Sequence, residues 1–220
     1  MKVAIVSGGK RDNDFILEYL NRHAFDCLIA VDSGLTFFYE TNQIPNVIVG
    51  DFDSVDHQVL DFYQAMYTEG KAKIEICKLI PEKDDTDMEY AIRYAISYGA
   101  THITLFGATG IRIDHVQGNL HLLGIGLFEN INIEIVDKNN RIRMIKTKYS
   151  IKREEQFGKY ISLLPVTGDA TGVTLSGFKY PLTSGTIPKF SSLGVSNEIT
   201  EEVGSIQIED GILLLIESRD

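Results

Sequence analysis

Gly50-Asp51-Phe52-Asp53-Ser54 stands directly after the apolar run Val47-Ile48-Val49. Two carboxylates flanking one residue at the end of a buried strand offer hard oxygen ligands, the kind Mg²⁺ takes. Acids recur at equivalent points: Asp32 after Leu28-Ile29-Ala30-Val31, Asp84, Asp85 and Asp87 after Ile74-Glu75-Ile76-Cys77, and Asp114 after Ile103-Thr104-Leu105-Phe106. Carboxylates loaded onto successive strand ends suit metal-assisted phosphoryl transfer, in which polyphosphate charge must be neutralised. Each piece alone has a plainer reading. Asp32-Ser33-Gly34 fits a turn, Gly50 to Ser54 fits an Asx turn closing a strand, and Asp84 to Asp87 fits a solvated helix start. Their recurrence at equivalent positions is what points to a site.

The elements that must position these residues alternate. Apolar, β-rich runs at 2–6, 26–31, 46–50, 73–77, 102–106 and 131–136 are separated by helical stretches near 12–24, 35–41, 55–69, 86–98 and 114–129. Such alternation predicts an α/β domain with a parallel sheet covered on both faces. Met88, Ala91, Ile92, Ala95 and Ile96 form one apolar helical stripe, with Thr86 and Glu89 in capping-box spacing before it and Gly99 after it. In an open sheet of this kind ligands bind beyond the carboxyl ends of the strands. That rule brings Ser7-Gly8-Gly9, Asp32 to Gly34, Gly50 to Ser54, Lys83 to Asp87 and Gly107 to His115 to one edge. After about residue 140 the helical period stops. Short strands at 141–148, 160–164, 172–175, 205–208 and 212–216 predict a second, all-β domain, a small sandwich, with Glu209-Asp210-Gly211 as a hairpin turn. The predicted domains are 1–138 and 139–220.

Bulk properties narrow the partners. A net charge of -10 over 220 residues argues against nucleic acid, which is gripped by Lys/Arg surfaces, but not against a nucleotide bridged by Mg²⁺. Cys27 and Cys77 lie inside apolar runs and read as reduced core thiols of a cytoplasmic protein. A strand begins at Lys2, so no leader is expected, and no apolar run approaches the roughly 20 residues of a membrane span. His23, His57, His102 and His121 have no metal-ligand spacing; only His115, beside Asp114, falls near the expected site.

Asp32-Ser33-Gly34, Gly50-Asp51-Phe52-Asp53-Ser54, Asp84-Asp85-Thr86-Asp87, Arg112-Ile113-Asp114-His115, Gly177-Phe178-Lys179-Tyr180-Pro181-Leu182 and Ser196-Asn197-Glu198 together resemble, in order, the motifs of the thiamine pyrophosphokinase (thiamine diphosphokinase) family. The resemblance implies a Rossmann-like catalytic domain, a β-sandwich that helps bind thiamine, and a homodimer with active sites at the subunit interface. It also implies transfer of the pyrophosphoryl group of ATP to the thiamine hydroxyl, with Mg²⁺, releasing AMP. By similarity, Asp51, Asp53 and Asp87 hold Mg²⁺, with Asp84 and Asp32 nearby. Asp114 is a further acid near the reacting hydroxyl or a second metal, a candidate general base, and Arg112 and Lys83 are candidate phosphate clamps. Ser7, Gly8 and Gly9 offer a phosphate cradle of backbone N–H groups, and Ser196 and Asn197 contact thiamine. Two departures stand out: Gly110-Ile111 precedes Arg112 where the family often has Gly-Gly, and the chain has no Trp to cover the pyrimidine. The competing readings are a pyrophosphokinase acting on another alcohol, such as a hydroxymethyl pterin, and a non-catalytic nucleotide sensor.

Overall fold

The computed structural model describes residues 1–80 and 84–220, so the expected clamp Lys83 lies outside the described residues. They divide into two compact units, Met1–Leu122 with Asn130–Lys138, and Leu123–Glu129 with Asn139–Asp220. No described helix is long and apolar enough to cross a membrane.

The first unit is built on β1 (Lys2–Val6), β2 (Cys27–Val31), β3 (Val47–Gly50), β4 (Glu75–Lys78), β5 (His102–Phe106) and β6 (Asn132–Val136). Between them run α1 (Asn13–Arg22), α2 (Leu35–Glu40), α3 (His57–Thr68), α4 (Asp87–Ser97) and α5 (Ile113–Glu129), the last counted in this unit only as far as Leu122. The strand order is β6-β5-β1-β2-β3-β4, and every neighbouring pair is parallel. Val3, Ala4, Ile5 and Val6 are all fully buried, which requires cover on both faces of β1 and explains its unbroken apolar run. The chain adds β2, β3 and β4 on one side of β1 and then returns to add β5 on the other. The strand order therefore reverses between β1 and β5.

α4 forms as its sequence dictates. Thr86 Oγ1 accepts the N–H of Glu89 at 3.2 Å, and Met88, Ala91, Ile92 and Ala95 are buried. At its end Gly99 (φ +87°) donates to the Ile96 carbonyl and Ala100 to the Ala95 carbonyl, the bond pair of a Schellman cap. Only half of the capping box is present, because the Glu89 carboxylate turns to Arg93, at 2.9 and 2.7 Å, rather than back to Thr86.

The second unit holds β7 (Asn140–Ile145), β8 (Tyr149–Lys152), β9 (Tyr160–Pro165), β10 (Ala170–Ser176), β11 (Leu182–Ile187), β12 (Asn197–Glu198), β13 (Val203–Gln207) and β14 (Leu213–Ser218). They pair antiparallel in the orders β12-β9-β14-β7 and β11-β10-β13-β8. Ile161, Leu163, Leu213 and Leu215 from the first order share one core with Val173, Leu175 and Ile206 from the second, which makes this unit a sandwich.

Two expectations need correction. Glu209-Asp210-Gly211 is not a hairpin turn, since β13 pairs with β10 and β8 while β14 pairs with β7 and β9. The segment carries the chain between sheets, held by a bridge from Asp210 to Thr171. Inward-facing residues alternate identically in either arrangement, so period alone does not separate them. The thiols are free but half-buried rather than core, and burial pushes Cys77 up to about 11, which leaves it unreactive near neutral pH.

Candidate functional site

The loop after β1 is wedged between two neighbours at the reversal point. Ser7 donates its N–H to the Phe106 carbonyl (2.9 Å) and its hydroxyl to the Gly107 carbonyl (2.8 Å), while Gly9 N–H reaches Gly107 O at 2.9 Å. A Cβ on Gly9 would lie 2.1 Å from Gly107 O, and one on Gly8 would lie 2.0 Å from Ser33 Oγ. Gly9, which faces backbone, is therefore required for loop-to-loop packing, whereas rotation of the Ser33 hydroxyl would relieve the contact at Gly8. The expected cradle shrinks accordingly: the Ser7 and Gly9 N–H groups point at carbonyls, which leaves exposed Gly8 as the loop's donor to a ligand. One residue here escaped sequence reading. Arg11 Nη1 donates to the Ser7 carbonyl at 2.8 Å and to the Ser33 carbonyl at 3.1 Å.

After β2 and β3 the backbone turns through left-handed conformations. Asp32 has φ +48°, Gly50 φ +153° and Phe52 φ +69°. A bulky residue such as phenylalanine rarely adopts this region, at a cost on the order of 1–3 kcal/mol. Burial of the Phe52 ring, 7 % exposed, offsets that cost and leaves Asp53 and Ser54 at the surface on either side of an anchored turn. Asp51 Oδ1 accepts the Asp53 N–H at 3.1 Å, so the Asx turn is present. It occupies one carboxylate oxygen and leaves the charge of Asp51 in place. A Cβ on Gly50 would meet Asp32 Oδ1 at 2.0 Å, which shows how closely the Asp32 carboxylate approaches the end of β3.

Asp84 and Asp85 are exposed ahead of α4, and Asp87 is half-buried in its first turn. Among the described residues no three His, Cys, Asp or Glu side chains are gathered into a ready-made metal cage. Mg²⁺ does not need one: it keeps several waters and takes one or two carboxylates together with substrate phosphates. The all-carboxylate donors after β3 and before α4 fit that chemistry.

Arg112 and Asp114 form an exposed two-point pair, Nε to Oδ1 at 3.2 Å and Nη2 to Oδ2 at 2.5 Å, and the His115 N–H adds a third bond at 2.9 Å. The Arg112 hydrogen bonds first, and the His115 N–H second, hold Asp114 down to about 2. In this paired state the carboxylate has little proton affinity, which suits an ion-pair partner of Arg112 more than a general base. Because the shift is downward, the pairing is complete above the ordinary carboxylate range and is lost only as pH falls towards 2. Asp114 should therefore contribute no limb to a rate profile between pH 5 and 9. Profiles of the wild type and Asp114→Asn should share the same inflections, and an inflection that vanishes in the variant would contradict this.

In the second unit Ser196 (φ +59°) is exposed, and its N–H donates to Ser162 Oγ at 3.0 Å. Asn197 is only 8 % exposed, and both atoms of its amide are hydrogen-bonded. Its Oδ1 accepts from Tyr180 N (3.0 Å) and Glu198 N (2.9 Å), and its Nδ2 donates to Tyr180 O (2.8 Å). The amide staples the segment before β11 to β12. Asn197→Ala strands the Tyr180 backbone groups and should cost about 1–3 kcal/mol in urea unfolding; an unchanged midpoint would reject the staple. Glu198 lies between Lys179 at 3.0 Å and Lys159 at 3.5 Å, a pairing that long-range strand contacts hid from the sequence. A cleft of about 880 Å³ in this unit, lined by Lys152, Arg153, Glu154 and Glu201 among others, contains none of the expected site residues.

A family model described as "Thiamin pyrophosphokinase, catalytic domain" matches residues 18–135, and one described as "Thiamin pyrophosphokinase, vitamin B1 binding domain" matches residues 148–213. The chain is 35% identical to a thiamine pyrophosphokinase of Bacillus subtilis over 220 residues, 99% of each chain. It is similar to the crystal structure of thiamine pyrophosphokinase from Bacillus subtilis, with a TM-score of 0.86 at 33% identity and complete coverage of both chains. Similarity to the crystal structure of thiamin pyrophosphokinase from Geobacillus thermodenitrificans gives a TM-score of 0.84 at 34% identity, covering 100% of this chain and 98% of the other.

Proposed function

This chain belongs to the thiamin pyrophosphokinase family, and on that premise we infer that it transfers the pyrophosphoryl group of ATP to the hydroxyl of thiamine, yielding thiamine diphosphate and AMP with Mg²⁺. The observation that carries this reading is the ordered match of both domain models along one chain that is 35% identical to a thiamine pyrophosphokinase over 99% of its length.

In the reaction the thiamine oxygen bonds to the β-phosphorus, the bond from that phosphorus to the AMP oxygen breaks, and the hydroxyl proton leaves to solvent or phosphate. Such displacements ask for positioning and charge neutralisation rather than covalent work by the protein. Bound Mg²⁺ supplies charge neutralisation on the phosphates. Asp51, Asp53 and Asp87 hold it, with Asp84 and Asp32 close along the same strand edge. The Gly8 N–H and Arg112 orient the polyphosphate, the latter together with Lys83. Asp114 fixes the Arg112 fork; its low proton affinity suits that role better than proton abstraction. Residues 1–138 bind ATP and metal, and residues 139–220 receive thiamine, with the exposed Ser196 hydroxyl as a contact and Asn197 shaping the loop beside it. The working form is a homodimer with active sites at the subunit interface, acting in the cytoplasm.

A panel of alcohols with Mg-ATP tests the acceptor. Thiamine should support turnover at least about a hundredfold better than a hydroxymethyl pterin, because a site that hydrogen-bonds one acceptor strongly rejects another lacking its groups. Preference for the pterin would overturn the acceptor assignment.

A further inference from the structure

Arg11 belongs to none of the motifs above, and in sequence it resembles a solvated cation ahead of a helix. Its surroundings say otherwise. The guanidinium is half-buried where strand order reverses, and its Nη1 joins two loops by donating to a carbonyl on each, Ser7 O after β1 and Ser33 O after β2. A Cβ added to Gly107 would lie 3.2 Å from Arg11 Cγ, so the loop after β5 packs on the same side chain. Among the described residues no carboxylate lies within ion-pair distance of Arg11. The acid whose field reaches it, Glu40, instead accepts a bond from Asn13 Nδ2 at 2.6 Å.

A half-buried positive charge answered only by neutral carbonyls is costly, and burial accordingly pulls the Arg11 pKa down. An anion bound at this point would offset that cost. A chain of net charge -10, with Asp32, Asp51 and Asp53 on neighbouring strand ends, needs such a counter-charge if it is to admit a polyphosphate. We propose that Arg11 is a positioning residue for the nucleotide polyphosphate, tying the loop after β1 to the loop after β2 so that the exposed Gly8 N–H and a fixed positive charge are held together at the strand-order reversal. This rests on the ATP-dependent reading above and adds the residue that organises its phosphate end.

Arg11→Met and Arg11→Lys test it by calorimetric binding of inorganic tripolyphosphate and by steady-state kinetics. Arg11→Met should weaken tripolyphosphate binding and raise KM for ATP by about tenfold or more, while KM for thiamine moves less than about twofold. Arg11→Lys keeps the charge but not the two-carbonyl bridge, and should recover part of the tripolyphosphate affinity. A folded Arg11→Met that binds tripolyphosphate like the wild type, or that loses ATP and thiamine alike, overturns the proposal. So does a wild type that binds no tripolyphosphate. If Arg11→Met fails to fold, Arg11→Lys decides, and wild-type affinity and KM in that variant reject the bridge. Tripolyphosphate binding is read without any acceptor alcohol. A wild type that bound it through Arg11 yet made no thiamine diphosphate would refute the proposed reaction and leave this assignment standing.

Discussion

Asp51→Asn and Asp53→Asn should each lower thiamine diphosphate formation on the order of a hundred- to a thousandfold, with melting temperatures within about 2 °C of the wild type. The expectation follows from the turn after β3. Asparagine at position 51 keeps an oxygen to accept the Asp53 N–H, so the Asx turn survives while the charge is removed. Position 53 is exposed, so its charge supports no packing. What is lost is a hard anionic ligand, and more Mg²⁺ should be needed to reach half-maximal rate. Asp61→Asn, on the exposed side of α3, removes the same charge from the chain and should leave the rate unchanged. Near-normal turnover and an unshifted Mg²⁺ requirement in both site variants would remove the metal from this turn.

The largest loss of stability should come from Glu217→Ala. Glu217 is fully buried in β14, where Arg141 grips it through Nε and Nη2, both at 2.7 Å. Arg143 Nη1 and the Phe157 N–H complete the cluster, each at 2.9 Å. The register explains the placement. Leu213, Leu215 and Glu217 face Ile145, Arg143 and Arg141 in turn, so period two puts the carboxylate on the same face as the sandwich core. Removing it takes away the carboxylate shared by two guanidinium groups and a backbone N–H, at a cost of about 3–5 kcal/mol. For a chain of this size that corresponds to a fall of roughly 6–20 °C in Tm. A triple replacement, Arg141→Met, Arg143→Met and Glu217→Leu, should be destabilised less than Glu217→Ala alone, because it removes both cations together with the carboxylate. A loss below about 1 kcal/mol in Glu217→Ala would show that the cluster relaxes to water.

This triad also marks where sequence reading ends. The run 212–216 reads as a strand that stops before a charged residue, yet β14 continues through Glu217 to Ser218. Nothing local says that two arginines on β7 meet that carboxylate, because the pairing register is set by the whole sandwich. β11 was hidden for a related reason: Leu182-Thr183-Ser184-Gly185-Thr186-Ile187 is polar enough to pass for a loop, and its strand character comes from pairing with β10. Asn197 and Arg11 each look like surface polar groups, and only the positions of distant carbonyls and amides show what they bind.

The first unit was far more legible. Its central strands β1, β3 and β5 are largely buried, so each appears as a continuous apolar run, and the turns that end β2 and β3 carry Asp32, Asp51 and Asp53. β1 and β5 coincide with their expected spans, and α4 was readable from stripe, cap and Gly99 alone. The acids after β2 and β3 were identifiable by position because the fold rule of carboxyl-end binding is independent of side-chain detail. The loop after β1 was not, since a Gly-Gly pair serves equally as a phosphate cradle or as space for a neighbouring carbonyl, and here Gly9 does the second.

The most direct test of the central claim is the product ratio from Mg-ATP and thiamine. The purified protein should release AMP only when thiamine is present, with one thiamine diphosphate formed for each AMP. Thiamine-dependent release of ADP with thiamine monophosphate, or AMP release that ignores thiamine, would contradict pyrophosphoryl transfer to this acceptor.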